Sequence, residues 1–201
     1  MLQSNIQNYI EKEMNVQGQS LSLYQEEKEY ALQKELVPQN LTIEEKEASS
    51  RFKDSYIERV DKETDELIAE EPPLSFLDIP FSYLKEHRSE FLYVESKWFE
   101  FIKLDGCSFE VDDVFGTYKV LTGLHMQKKF GSLLKQFFAK ELNESPTSVQ
   151  LLFNDKDGLW DVNIELDAIK EFDEKMSIGE AFVLTYRFFF HLVEYVENEK
   201  A

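Results

Sequence analysis

Hydrophobic residues recur at helical spacing through the first third of the chain. The run Thr42-Ile-Glu-Glu45 has the form of a capping box, and apolar residues follow it at steps of three or four until Pro72 and Pro73. A capping box starts a helix and prolines end one, so this pattern predicts an amphipathic helix over residues 42–70. Its apolar stripe, the expected interaction face, comprises Phe52, Tyr56, Ile57, Val60, Leu67 and Ile68.

Two earlier segments carry weaker helical periodicity. They run from Ile6 to Glu13 and from Leu21 to Leu36. Residues 1–20 are expected to fray, because few contacts hold the end of a chain. Residues 1–72 are therefore predicted to form an N-terminal helical arm.

The clearest strand signal lies near the C-terminus. Apolar and polar residues alternate over 149–153 and 160–166, on either side of the turn residues Asn154-Asp-Lys-Asp-Gly158. This pattern predicts an antiparallel hairpin near 149–166. Polar residues of its second strand are expected on the outer face: Asp161, Asn163, Glu165 and Asp167.

The other elements of residues 73–201 are predicted from shorter patterns. A second capping box, Ser177-Ile-Gly-Glu180, opens a helix reaching Val196 that is expected at the centre of the core. Asp112-Asp113 favours a helix start because carboxylates complement the positive end of a helix dipole. The remaining predictions are a short helix over 74–86, strands over 90–95 and 98–104, a turn at Asp105-Gly106, and helical periodicity over 114–124 and 130–138.

Aromatic residues separate the two parts of the chain. Of the 17 phenylalanines only Phe52 precedes Pro73, and both tryptophans follow it. Each large aromatic side chain buries on the order of 150–250 Å², so residues 73–201 can form a dense core of their own. The fold is thus predicted as α+β, with a helical arm followed by a compact domain whose small antiparallel sheet packs on helices.

Charge narrows the classes of function. The 201 residues include 22 Lys and Arg against 40 Asp and Glu, giving a net charge of −18. Neither direct binding of nucleic acid nor docking on anionic lipid is expected, since both rest on cationic side chains. The first residues lack a secretory signal and no apolar run spans a membrane, so a cytoplasmic protein is expected.

No residue is assigned a catalytic, cofactor or metal role. The loop 154–158 resembles a calcium loop, but with Gly158 at the sixth position the first and twelfth ligands would be Phe153 and Ile164. The single cysteine, Cys107, lies near acidic residues that disfavour a thiolate and is expected to be a structural thiol. His87, His125 and His191 fall on separate predicted elements and are expected to be structural.

Three functional hypotheses remain open. The first is a non-enzymatic interaction or regulatory protein that binds another protein, or a second copy, through the helical arm. The second is an acidic protein that mimics DNA or sequesters a basic partner, motivated by the net charge and by Asp161, Glu165 and Asp167. The third is a small enzyme or ligand-binding domain with an aromatic pocket, in which His125 or His191 would lie in a cleft beside a carboxylate of shifted pKa.

Overall fold

The computed structural model describes residues 2–17, 20–38, 41–142 and 148–199. The chain divides into two compact units, Met1–Arg51 and Phe52–Ala201. The composition change at residues 72 and 73 therefore falls within the second unit, because the preceding residues contribute two strands to its sheet.

The described part of the first unit combines two helices with a two-stranded parallel sheet. Leu2, Ile6 and Ile10 are buried at steps of four, so residues expected to fray form a helix with one buried face. Residues 1, 18 and 19 of that segment lie outside the described ranges. Thr42, predicted to cap a helix, begins a strand instead. The elements are α1 (Leu2–Gln17), β1 (Ser20–Leu23), α2 (Gln25–Gln33) and β2 (Thr42–Glu45), followed by a 3-10 turn (Ala48–Ser50).

In its described residues, the second unit is built on a seven-stranded sheet in which every neighbouring pair is antiparallel. The strand order is β4-β3-β5-β6-β7-β9-β8, with bounds as follows. The strands are β3 (Tyr56–Asp61), β4 (Leu67–Glu70), β5 (Glu90–Glu95), β6 (Leu104–Val111), β7 (Tyr118–Leu124), β8 (Val149–Asn154) and β9 (Leu159–Glu165). The α+β class is confirmed, but the prediction of a small sheet is wrong.

Short helices join the strands, and one long helix ends the unit. They are α3 (Pro73–Phe76), α4 (Tyr83–Glu86), α5 (Lys97–Phe101), α6 (Gly131–Glu141) and α7 (Ile178–Asn198), with 3-10 turns at Lys128–Phe130 and Leu166–Ala168. The strand over 90–95, the hairpin near 149–166 and the final helix are confirmed. The short helix predicted over 74–86 is present as two pieces, α3 and α4.

The amphipathic helix predicted over 42–70 is wrong. Residues four apart share a face of a helix, but they also share a face of a strand, whose side chains alternate with period two. Tyr56, Ile57 and Val60 are β-branched or aromatic residues that favour a strand. Asp61 then closes a turn, because its Oδ1 accepts hydrogen bonds from the backbone N–H groups of Glu63 and Thr64 at 3.0 Å each. Those bonds lower the pKa of Asp61.

The strand predicted over 98–104, the turn at Asp105-Gly106 and the helix over 114–124 are also wrong. Residues 98–101 belong to α5, whose cap Ser96 accepts a hydrogen bond from Trp98 N–H, and Asp105-Gly106 lies inside β6. Asp112 starts a hairpin turn: its Oδ1 accepts from the N–H groups of Val114 and Phe115. The chain then returns as β7, with alternate residues buried.

One face of the sheet carries the core. Helix α7 begins at a capping box in which Ser177 and Glu180 each accept a backbone N–H, and 13 of its 21 residues are buried. Its Phe182 stacks on Phe109 of β6 with ring centroids 4.7 Å apart. Because strand side chains alternate, the residues between those on the core face point to the opposite face of the sheet.

Candidate functional site

The face of the sheet opposite Phe109 presents one residue from each of six strands in a continuous row. Each member lies directly opposite the next on the neighbouring strand, so the six share one side of the sheet. All of them are exposed or half-buried. The row is Glu58, Tyr93, Ser108, Leu121, Asn163 and Gln150. We call the side of the sheet that carries this row the open face.

Two glycines shape the centre of the open face. The pairing of β6 with β7 shifts between Leu104 and Cys107, so that Asp105 and Gly106 together oppose Gly123. A Cβ at Gly106 would lie 2.5 Å from the hydroxyl of Tyr93, and one at Gly123 would lie 2.6 Å from Oδ2 of Asp105. Both distances are shorter than real Cβ contacts, so the glycines allow these two side chains to lie flat on the sheet.

The strands on this side form an open groove of about 520 Å³. Leu121 and Leu152 supply apolar surface, and Leu152 is 69% exposed. The polar lining offers both hydrogen-bond donors and acceptors, together with one carboxylate. The lining residues are Gly106, Ser108, Leu121, Thr122, Gln150, Leu152, Asp161, Val162 and Asn163.

Within the described part of the chain, five of the acidic residues on the open face form no ion pair with a lysine or arginine. We call them the open-face carboxylates: Glu58, Glu70, Glu95, Asp105 and Asp161. Some other carboxylates of the second unit are paired, as Glu71 and Glu90 are with Arg59 at 2.7 and 3.0 Å. The open face therefore carries more acidic than basic side chains.

Tyrosine hydroxyls hold two of these carboxylates in place. Tyr56 donates to Glu58, and Tyr93 donates to Glu95 at 2.8 Å. The bond to Glu58 raises the pKa of Tyr56, while burial and then the bond to Glu95 raise the pKa of Tyr93 to about 12. Both tyrosines therefore keep their protons at neutral pH and orient the carboxylates without neutralising them.

His125 contacts one open-face carboxylate beside the groove. Its Nε2 lies against Oδ1 of Asp105, and the two side chains are 50% and 49% exposed. A His–Asp pair can accept or donate a proton, and the enzyme hypothesis named His125 or His191 beside a carboxylate. Covalent catalysis also needs a nucleophile in contact with the base, and among the described contacts Ser108 makes no hydrogen bond to His125.

The predicted interaction face is divided by the sheet. Phe52, Ile57 and Val60 are buried, whereas Tyr56, Leu67 and Ile68 are 40%, 53% and 43% exposed. The alternation of strand residues places Ile57 on the core face with Val94 and places Tyr56 with Glu58 on the open face. The six residues therefore do not form one continuous exposed stripe.

The remaining candidate residues lie apart from the groove lining or beneath it. Cys107 is fully buried, and burial raises the pKa of its thiol to about 12, as expected for a structural cysteine. His87 stacks on Tyr83 with ring centroids 3.9 Å apart. Nδ1 of His191 lies 3.5 Å from Oε2 of Glu194, one turn along α7. Asp167, predicted in the outer row, instead accepts a hydrogen bond from Tyr118 N–H at 2.6 Å.

The sequence signal for the open face was incomplete. Alternation in β9 correctly placed Asp161, Asn163 and Glu165 on one side. Ser108 follows the predicted turn at Asp105-Gly106, and Leu121 lies in a segment predicted to be helical. Nothing in the local pattern therefore placed either residue beside Asn163. Only the pairing of β6, β7 and β9 brings them together.

Three further findings concern metal binding, the membrane and known relatives. Among the described residues, no group of three or more His, Cys, Asp or Glu side chains is arranged to hold a metal ion. None of the helices in the described ranges is both long and apolar enough to cross a bilayer. No protein family, curated protein or solved structure matches the chain.

Proposed function

We propose that this protein is a non-enzymatic interaction protein whose open face binds a basic partner protein. The observation that carries the proposal is the set of open-face carboxylates, which flank the groove and form no ion pair with a lysine or arginine within the described part of the chain. Carboxylates left unpaired beside apolar surface favour a cationic partner and raise its rate of encounter.

The extent of the surface favours a macromolecule over a small ligand. Glu70 lies on β4 and Asp161 lies on β9, which are separated by five strand spacings. At about 4.8 Å per spacing the carboxylates extend over roughly 24 Å, the scale of a protein interface. The groove then accepts one side chain of the partner, and the carboxylates receive its lysines or arginines.

This proposal keeps the interaction hypothesis but moves its surface. The segment 42–70 does not form an amphipathic helix, so a helix-in-groove contact through it has no structural basis. Tyr56 still belongs to the surface, because its hydroxyl orients Glu58 on the open face. A basic partner is also what the acidic sequestering hypothesis required.

The test is affinity capture of the full chain from its own host with three open-face carboxylates neutralised. The variant is Glu95→Gln/Asp105→Asn/Asp161→Asn. The matched control neutralises three exposed carboxylates on helices or their ends: Asp78→Asn/Glu86→Gln/Glu100→Gln. Both variants change the net charge equally, so general electrostatics affects them alike.

We expect one dominant basic protein to be captured by the wild type and by the control. Capture by the open-face variant should fall at least about tenfold, and wild-type capture should weaken as salt rises, because screening reduces charge attraction. A captured protein that is acidic, or one lost equally from both variants, would contradict the proposal.

A further inference from the structure

The outer edge of the sheet at β8 has an unusual composition. Its six residues, Val149-Gln-Leu-Leu-Phe-Asn154, include no charged residue, proline or glycine. Among the described strands β8 pairs only with β9, so its other side carries backbone groups free of strand partners. Natural proteins usually protect such an edge with charge or proline, because an unprotected edge pairs with another chain.

The opposite edge of the same sheet shows this protection. β4 has only four residues, ends at Glu70, and is followed by Glu71-Pro72-Pro73. A second copy approaching β4 would bring these carboxylates together. The β4 edge therefore carries carboxylates and the β8 edge does not. In a chain with net charge −18, this difference in charge decides which edge a second copy can approach.

The charges next to β8 are satisfied locally. Lys128 donates to both oxygens of Asp155 at 2.7 and 2.9 Å, and its ammonium lies 5.2 Å from the ring centroid of Phe153. Asn154 donates to Asp157 at 2.8 Å. The acidic loop that follows β8 therefore adds less repulsion at this edge than its sequence indicates.

We propose that two copies of this chain associate by antiparallel pairing of β8 with β8 of a second copy. A two-fold axis perpendicular to the sheet keeps the open faces of both copies on the same side and brings the two Leu152 side chains opposite or diagonal to each other. The two Asp161 carboxylates are then three strand spacings apart, about 14 Å. That separation exceeds the Debye length of about 8 Å at physiological salt.

The pairing has two sources of stability. Six-residue antiparallel strands satisfy the outward backbone groups of both copies, and Leu152, now 69% exposed, is buried against its counterpart. This self-association goes beyond the proposed function, since it uses the edge of the sheet and not the open-face carboxylates, although Leu152 also lines the groove.

Sedimentation velocity of the full chain over about 1–200 μM tests the proposal through mass action. The wild type is expected to shift from monomer to dimer with concentration. Leu152→Glu should raise the dimer dissociation constant at least about tenfold, because it places two like charges together. Leu152→Lys should do the same, and an equimolar mixture of the two variants should recover the dimer.

The control substitution is Leu67→Glu on β4, at an exposed leucine of the opposite edge. It should leave the dissociation constant unchanged, and thermal melts of all variants check that they are folded. A wild type that remains monomeric at every concentration would overturn the proposal. So would a dimer that survives Leu152→Glu, or one that Leu67→Glu abolishes.

Discussion

Acidic side chains serve opposite purposes in the two units of this protein. In the first unit, Arg51 donates to Glu27 at 2.8 and 3.0 Å and to Glu26 at 2.6 Å, and its guanidinium lies 4.1 Å from the ring centroid of Tyr24. The side chains of this cluster are almost completely buried, with exposures of 0% for Arg51 and Glu27 and 6% for Glu26. The open-face carboxylates of the second unit are exposed or half-buried and form no ion pair with a lysine or arginine among the described residues.

This contrast separates charge that constrains a fold from charge that is available for binding. Buried ions are stable only when they are paired and hydrogen-bonded, so the first cluster cannot lose a member without a large loss of stability. Exposed carboxylates are solvated by water, and their removal costs the fold little. The same residue types are therefore expected to respond very differently to substitution.

The largest expected effect is at the buried cluster. Arg51→Ala should lower the free energy of unfolding by about 3–5 kcal/mol, because it leaves two buried carboxylates without their cation. Urea unfolding of the full chain, followed by circular dichroism, measures this loss. Lys97→Ala is the matched control: Lys97 pairs with Asp54 at 3.5 Å, both are highly exposed, and the expected change is below about 1 kcal/mol.

A triple variant sharpens the same test. Arg51→Met/Glu26→Leu/Glu27→Leu removes all three charges and keeps side chains of similar length. It should recover most of the stability lost in Arg51→Ala, because the cost comes from unpaired buried charge and not from lost volume. A triple variant as unstable as Arg51→Ala would instead assign the loss to packing around Tyr24.

The sequence predicts elements well where one period dominates and where local hydrogen bonds agree with it. Helix α7 has both an apolar stripe and the Ser177–Glu180 capping box, and it forms as predicted. Residues 42–70 satisfied the helical template equally well, yet a four-residue period does not distinguish a helix from a strand. The Asp61 turn decided between them, because it returns the chain as β4 against β3.

The open face could not be predicted from local sequence patterns, because only the pairing of distant strands brings its residues together. Its central row takes residues from six strands, and the pairing partners Ser108 and Asn163 are far apart in sequence. The carboxylates are ordinary acidic residues in the sequence, and only the pairing of strands shows that they share a side of the sheet. Net charge pointed to a basic partner, but not to the surface that receives it.

A smaller, pH-dependent effect is expected at Asp112, a carboxylate that is paired with Lys119 and partly exposed. Asp112 is held by Lys119 and by the N–H groups of Phe115 and Val114, which lower its pKa to about 2. A folded-state pKa below the unfolded value stabilises the fold above about pH 4, and this stabilisation is lost as pH falls toward about 2. Asp112→Asn keeps a turn acceptor but removes the charge.

Urea unfolding of both proteins between about pH 6 and pH 2 measures this effect. The stability difference between wild type and Asp112→Asn should be greatest near neutral pH and should shrink in acid. Lys119→Met, which removes the partner, should reduce the difference at neutral pH as well. A difference that is constant over the whole range would show that the charge of Asp112 does not contribute.

The smallest effect is expected on the open face itself. Asp161→Asn should change the free energy of unfolding by less than about 0.5 kcal/mol, because Asp161 is exposed and loses no basic partner among the described residues. The same urea titration at neutral pH measures it beside Arg51→Ala. A loss above about 1 kcal/mol would mean that Asp161 stabilises the sheet, and reduced capture of a partner by an Asp161 variant would then reflect unfolding. An unchanged stability together with lost capture assigns this carboxylate to binding.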